Sequence, residues 1–378
     1  MRRLLSPFVL TLTLILAVGY AYVAFRLADG LLARLALALP FVAVWAVPVL
    51  YWVLGRDKHG RADDLLHAAS YLSMGWLTYL LLFTLLRDLA LLGTHWAGVV
   101  VTADWVQGSR AAVLWGAALT LGIGVLAAMR GPHVRRIDVT IEQLPPEFEG
   151  LTIAQISDLH VGPTIGRRYV QWVVEISNRL NPDLVVLTGD IVDGSVPRLQ
   201  RHVAPLAQLR AKEGRFLALG NHDYYSGAAA WVAQFQQLGL DVLRNEHRLI
   251  RRGAATLLLG GVVDPAARMD RPPQMPDAQR AAGNGVDAQL RILLAHNPKL
   301  APQGEAAGFD LQLSGHTHAG QFFPWTLAVK LVHAPHVVGL SRSGRMWVYV
   351  NPGTGSWGPP VRLGTRPELT LLRLVQRP

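Results

Sequence analysis

Leu184-Val-Val-Leu-Thr-Gly-Asp190 is the stretch from which the chain is best read. Leu184 to Leu187 is a short, wholly apolar run, the composition of a strand buried on both faces, as parallel strands are. It ends in Thr188-Gly189 and then the carboxylate of Asp190. In open α/β sheets ligands collect beyond the carboxyl ends of the strands, which is where Asp190 falls. A lone turn aspartate is commoner than a ligand. Here the pattern recurs. Apolar runs also lead into Asp158-Leu-His160, Gly220-Asn-His-Asp223, His296-Asn-Pro298 and Gly315-His-Thr-His318. Five strand-like runs that each deliver oxygen or imidazole donors at the same end predict one shared site.

Working outward, residues 134–141, 151–156, 216–219, 241–243, 248–250, 255–259, 291–294, 311–314, 346–350 and 369–374 read as further strands. Apolar residues at helical spacing over 167–180 place Trp172, Val173, Ile176 and Leu180 on one face, and Asn181-Pro182 stops that helix. Helices are also expected near 198–210 and 228–238, and a Pro/Gly-rich loop over 264–289. Mixed βα and ββ order predicts two mixed sheets packed face to face with helices outside, a four-layer αββα sandwich.

The first third of the chain is different. Residues 7–25, 31–54, 65–86 and 111–129 are apolar enough, and about 20 residues long, as a bilayer-spanning helix must be. The first apolar core is too long for a signal peptide, and a second follows at once, so it reads as an uncleaved helix. The fold class is therefore an α-helical transmembrane N-terminal region of four helices, residues 1–133, followed by an α/β soluble domain, 134–378. Arg2, Arg3, Arg56, Lys58, Arg61, Arg130, Arg135 and Arg136 lie on one side of the four spans, and Arg26, Arg34, Arg87 and Arg110 on the other. Eight against four predicts cytoplasmic termini and a cytoplasmic catalytic domain. Asp29, Asp57, Asp63, Asp64 and Asp88 fall at span edges, so the helices read chiefly as an anchor. Their tryptophans, Trp45 among them, suit interface anchoring or helix packing.

Net charge is +10, yet residues 138–378 carry 24 Lys/Arg against 20 Asp/Glu, with no basic track interleaved with aromatics. A nucleic-acid partner is not expected. There is no cysteine, which excludes disulfides, thiolate metal sites and cysteine nucleophiles. No Gly-x-Ser-x-Gly elbow supports a serine hydrolase.

Ser157-Asp-Leu-His160, Gly189-Asp190, Gly220-Asn-His-Asp223, His296 and Gly315-His-Thr-His318-Ala-Gly-Gln321, taken in order, resemble the signature of the calcineurin-like metallophosphoesterase family. The resemblance covers about residue 134 onward. It is nearest to the membrane-associated bacterial branch, through Gly353-Thr-Gly355 and Arg366-Pro-Glu368. It implies two divalent cations, with Asp158, His160 and His318 at the first, Asn221, His296 and His316 at the second, and Asp190 shared. Manganese is the first expectation for donors of nitrogen and oxygen without sulfur, with iron or zinc as alternatives. A cation pair clamps the attacking and leaving oxygens of a displacement at phosphorus, here with a bridging hydroxide as nucleophile. By the same resemblance His222 binds no metal. It acts as general acid toward the leaving oxygen, contacting substrate together with Asn221, while Asp223 orients its ring; the alternative for Asp223 is a helix cap.

Gly189, Gly220 and Gly315 read as backbone-turn residues. His202, His247, His333 and His336 read as ordinary surface or packing histidines, and nothing in the sequence requires Asp193 or Asn297 as ligands. Phe322-Phe-Pro-Trp325 reads as core, the alternative being an apolar lip facing the bilayer. The functional expectation is a phosphodiesterase or pyrophosphatase at the inner membrane of a bacterium, with lipid-linked phosphoesters among its candidate substrates. The alternatives are a nucleotide or phosphoprotein phosphatase with an incidental anchor, and a catalytically silent metal-binding scaffold.

Overall fold

The computed structural model describes residues 5–54 and 60–376. Arg2, Arg3, Arg56, Asp57 and Lys58, used above for topology, lie outside the described residues. The chain divides into two compact units, Met1–Leu126 with Gly358–Val361, and Ala127–Trp357 with Arg362–Pro378.

The first unit holds α1 (Pro7–Leu27), α2 (Leu31–Val47), α3 (Arg61–Trp96) and most of α4 (Ala103–Met129). Ser6 caps α1 through its side chain, with Pro7 at the first helical position, where a missing N–H costs nothing. Four helical stretches are long and apolar enough to cross a membrane. The third exceeds the 22 residues of its apolar segment: α3 has 36 residues, about 54 Å at 1.5 Å per residue. Hydropathy sees only the middle of it. Asp63 and Asp64 sit in the first turn, where the helix dipole favours acids. Polar groups near the other end pair between helices: Arg26 Nε donates to Asp88 Oδ2 at 2.7 Å, Tyr22 donates to the same oxygen at 2.8 Å, and Arg87 Nε donates to Ser109 at 2.8 Å. Arg110 pairs with Asp29. Trp45 donates to Thr13 at 2.8 Å, a helix-packing contact.

The second unit contains two six-stranded sheets. Its strands are β1 (His133–Ile141), β2 (Thr152–Ile156), β3 (Leu184–Leu187), β4 (Arg215–Leu217), β5 (Asp241–Val242), β6 (Glu246–Arg252), β7 (Ala255–Gly261), β8 (Leu290–Leu294), β9 (Leu311–Ser314), β10 (Gly339–Ser343), β11 (Met346–Val350) and β12 (Glu368–Gln376). The first sheet runs β1-β12-β2-β3-β4-β5 and the second β10-β11-β9-β8-β7-β6. Within them β2, β3 and β4 are mutually parallel, as are β7, β8 and β9. Helices α5 (Arg167–Arg179), α6 (Val196–Val203), α7 (Asn221–Tyr225), α8 (Ala228–Gln237), α9 (Ala278–Ala282), α10 (Ala301–Ala306) and α11 (Trp325–His333) complete the unit. The helix expected over 198–210 ends at Val203 and tightens into a 3-10 turn, Ala204–Gln208. Pro205 has no N–H to continue the α-helical ladder.

The strand β3 shows why the layers hold. Leu184 and Val186 point into the core between the sheets, against Leu257, Leu259, Ile292 and Leu313. Val185 and Leu187 point the other way, into a core shared with Val170, Val173, Trp231 and Phe235 of α5 and α8. All four are fully buried, worth roughly 1.5–3 kcal/mol each. On the far side of the second sheet, Leu258, Leu293 and Val348 pack on Ala281 and Ala301 of α9 and α10. The four layers expected from element order are present.

Candidate metal centre

Both sheets turn the carboxyl ends of their parallel strands toward one place. Asp158 and His160 follow β2, Asp190 follows β3, and Asn221 to Asp223 open α7 just beyond β4. From the second sheet, His296 follows β8, and His316 and His318 follow β9. The turns that aim these side chains are strained. Asp158, His160, Asp190, His316 and His318 all have positive φ, between 50° and 72°. Such a conformation is uncommon for residues with a Cβ and is held only where the surroundings impose it.

Among the described residues three donor groups form: one joins His160, Asp193 and His222, and the other two hold the expected ligands. Asp158, His160 and His318 bring ligand atoms within 4.8 Å of one another, and so do Asp190, His296 and His316. Asp190 Oδ2 lies 3.1 Å from His296 Nε2 and 3.8 Å from His160 Nε2, so it reaches toward both. Asn221 Oδ1 joins the second group, 3.0 Å from His316 Nδ1. The seven side chains singled out in the sequence as ligands are brought together.

The donor chemistry fits cations. His160 Nδ1 lies 3.1 Å from the Asp193 carboxylate, and His296 Nδ1 lies 2.7 Å from the Thr188 carbonyl. Both partners accept only, so each Nδ1 carries a proton and each Nε2 is turned inward. There, His160 Nε2 meets His318 Nε2 at 3.0 Å, and His296 Nε2 meets His316 Nδ1 at 3.2 Å. Nitrogen facing nitrogen beside two carboxylates is an arrangement that divalent cations satisfy. Burial, with a neighbouring His296, pushes His316 down to about 3, and burial pushes His318 down to about 4. Both rings are thereby neutral ligands at ordinary pH. Burial would raise the Asp158 and Asp190 carboxyls, but the facing histidines hold both below the usual range.

His222 and Asp223 are arranged differently from the expectation. Asp223 does not orient His222. Its fully buried carboxylate accepts from the backbone N–H groups of Ile191 (2.9 Å), Val192 (3.1 Å) and Gly220 (2.9 Å), closing a capping box on α7 and pinning the Asp190 turn. At the third position of a helix a carboxylate reaches back to the cap backbone, away from its neighbour's ring. The residue that holds His222 is Asp193, whose Oδ1 lies 2.8 Å from Nδ1. Asp193 thus anchors two imidazoles, those of His160 and His222. Burial would lift the Asp193 carboxyl, but these rings keep it well below the carboxylate range. Burial presses His222 down, and the Asp193 hydrogen bond together with the charge of Asp190 raises it to about 9. The sequence signal for Asp193 was available as a carboxylate three residues beyond Asp190, too common a spacing to single out.

Other expectations divide. Gly189 is a turn residue, with φ +86°. Gly315 is instead needed for close approach: a Cβ there would stand 2.0 Å from Ser157 Oγ and 2.1 Å from Asp158 Oδ2. Asn297 caps a 3-10 turn through the Lys299 N–H. His202 accepts from the Arg167 N–H. His333, read as ordinary, packs its ring 5.4 Å from that of His316. Of Phe322 to Trp325, Phe322 is buried while Phe323 and Trp325 are exposed. Two further rings border His222: Tyr225 at 5.5 Å and Trp357 at 5.9 Å, both largely exposed. The buried Arg362 donates to the carbonyls of Pro352, Gly353 and Gly355, fixing the loop behind His318.

The family model for calcineurin-like phosphoesterases matches residues 151–320. A Danio rerio transmembrane protein with a metallophosphoesterase domain is 39% identical over 261 residues, covering 67% of this chain and 60% of that protein. The chain thus spans less than two thirds of that relative's length. An uncharacterized metallophosphoesterase of Helicobacter pylori is 34% identical over 256 residues, covering 67% of each. Among solved structures, the Thermus thermophilus sulfate thiohydrolase SoxB is 16% identical, with a TM-score of 0.40 over 61% of this chain and 57% of that one.

Proposed function

We propose that this chain, which belongs to the calcineurin-like metallophosphoesterase family, is a metal-dependent phosphohydrolase that cleaves phosphodiester or pyrophosphate bonds of lipid-linked substrates at a membrane. The observation that carries the reading is the convergence of Asp158, His160, Asp190, Asn221, His296, His316 and His318 from both sheets on one cluster of inward donor atoms. Divalent cations bound there supply Lewis acidity and a water-derived nucleophile at neutral pH; manganese is our choice among manganese, iron and zinc.

The chain's own residues do the rest. Asn221 and His222 contact the phosphoester. With Nδ1 fixed on Asp193, His222 has Nε2 left to donate, and as a protonated imidazolium it delivers that proton to the leaving oxygen. Asp223 acts only through the backbone, holding the Asp190 and Asn221 turns at their spacing.

Four apolar helices in the same chain favour a substrate that resides in the bilayer. The charge bias near their ends favours multi-pass insertion in the inner membrane, with the catalytic unit in the cytoplasm. A second reading has its own support. The exposed rings of Tyr225 and Trp357 beside His222 would stack on a planar leaving group, which favours a nucleotide substrate. Purified protein supplied with manganese should hydrolyse bis-p-nitrophenyl phosphate and lose that activity to a chelator. A panel of lipid phosphoesters in vesicles, nucleotides and phosphopeptides then separates the substrate classes. Tight metal binding with no turnover of any of them would leave a scaffold as the answer.

A further inference from the structure

Helix α11 wears its residues inside out. None of its nine residues is buried. At 3.6 residues per turn, Thr326, Lys330 and His333 share one stripe, and Trp325, Leu327, Ala328, Val329, Leu331 and Val332 cover the remaining arc. A helix lying on a soluble domain turns its apolar arc inward; here the polar Thr326 and His333 are half-buried, as are Ala328 and Val329, while Lys330 and the large apolar residues Trp325, Leu327, Leu331 and Val332 are exposed. His333 stands over His316, and a Cβ at Gly320 would strike the backbone of Thr326 at 2.6 Å. The apolar arc faces out: Leu331 is 90% exposed, Val332 59% and Leu327 55%. Phe323, just ahead of the helix, is 41% exposed. Contiguous apolar surface of this kind marks an interaction site.

What covers it follows from the rest of the chain. Four helical stretches can cross a membrane, and only Arg130, Gly131 and Pro132 separate the end of α4 from β1. Three residues reach roughly 10 Å, so the chain passes from the end of a membrane-length helix into β1 within that span. From residue 311 to residue 367 there is no Asp or Glu, whereas Lys330, Arg342, Arg345, Arg362 and Arg366 all fall there. An apolar arc with a tryptophan at one end, an exposed lysine at its border and no acid within its own stretch of chain, 311–367, matches a helix lying in a membrane interface.

We propose that α11 is a membrane-docking helix, its apolar arc set into the headgroup region of an anionic bilayer with Lys330 at lipid phosphates. Because its first turn abuts Gly320 and His333 in its last turn stands by His316, docking would set the metal centre at headgroup depth. The inference rests on the membrane assignment and stands whether or not lipids are the substrate.

The absence of cysteine makes the test direct. A nitroxide is attached to L331C, or to L327C as a second site, in the full chain reconstituted into phosphatidylethanolamine–phosphatidylglycerol vesicles. L249C on β6, a site also exposed, serves as the aqueous control. Docking predicts high oxygen collision rates at 331 and 327, and collision with a water-soluble nickel chelate at least fivefold below that at 249. Equal chelate collision at all three sites overturns the proposal. Protection that persists in detergent and comes with dipolar broadening between labels also overturns it, and assigns the arc to a second copy of the chain. A chain that hydrolyses no phosphoester but shows the docked pattern would refute the proposed activity and leave this inference intact.

Discussion

The two units bury polar groups in opposite ways. Near the ends of α1, α3 and α4, each charge meets its complement: Arg26 and Tyr22 on Asp88, Arg87 on Asp88 and Ser109, Arg110 on Asp29. At the strand ends of the second unit, ring nitrogens face one another beside Asp158 and Asp190, His160 Nε2 on His318 Nε2 and His296 Nε2 on His316 Nδ1, an arrangement that a bound cation would satisfy. Charges that cancel locally hold helices together; charges that do not cancel call for something from outside. That contrast is what the proposed function requires of an anchor in the first unit and a reaction centre in the second.

The comparison can be broken most decisively at His222. His222→Ala should lower kcat on bis-p-nitrophenyl phosphate by about 10²–10⁴-fold while metal content, measured by elemental analysis, stays at wild-type level. Loss of metal in that variant would move His222 into the ligand set. Asp223→Ala leaves three buried N–H groups without an acceptor. Denaturant unfolding should show a loss of about 3 kcal/mol or more, at roughly 1–3 kcal/mol per unsatisfied group with partial relaxation. Asp193→Asn should reduce metal affinity or activity by about 10–100-fold. It should also shift the alkaline limb of the pH–rate profile to lower pH. His222 acts protonated, so activity is present below its pKa and lost above it, and removing the carboxylate that raises this pKa brings the loss on earlier. An unmoved limb would separate Asp193 from the proton-donating step. The smallest effect belongs to the first unit. Asp88→Asn keeps an acceptor and gives up only part of a half-exposed ion pair, so stability should fall by about 1 kcal/mol or less. Turnover of a soluble aryl phosphodiester should be unchanged. A large loss of that turnover would show that the helices do more than anchor.

How far the sequence carried depended on whether the deciding interaction was local. Leu184 to Leu187 could be placed as a doubly buried strand because all four residues are apolar, whichever way each faces. The candidate ligands could be singled out because each follows a strand, and parallel strands in a layered sandwich share one end. The full length of α3 was hidden, since hydropathy reports the apolar middle and not the polar turns that continue it. The exchange of roles between Asp193 and Asp223 was hidden too. Both are carboxylates near His222 along the chain, and only the folded turns decide that one meets the ring and the other the backbone.

Helix α11 makes the same point from the other direction. Phe322-Phe-Pro-Trp325, which leads into it, reads as core, yet only Phe322 is buried while Phe323 and Trp325 are exposed, because composition records how apolar a segment is and not what lies beside it. The sequence alone determined two things here, four apolar segments of membrane-crossing length and an α/β unit whose strand ends carry carboxylate and imidazole donors. Only the tertiary structure decided which carboxylate holds His222, and that α11 leaves Leu327, Leu331 and Val332 exposed. Patterns along the chain fix which groups are present and how often they recur; the direction a side chain takes after a turn is set by contacts between segments far apart in the chain.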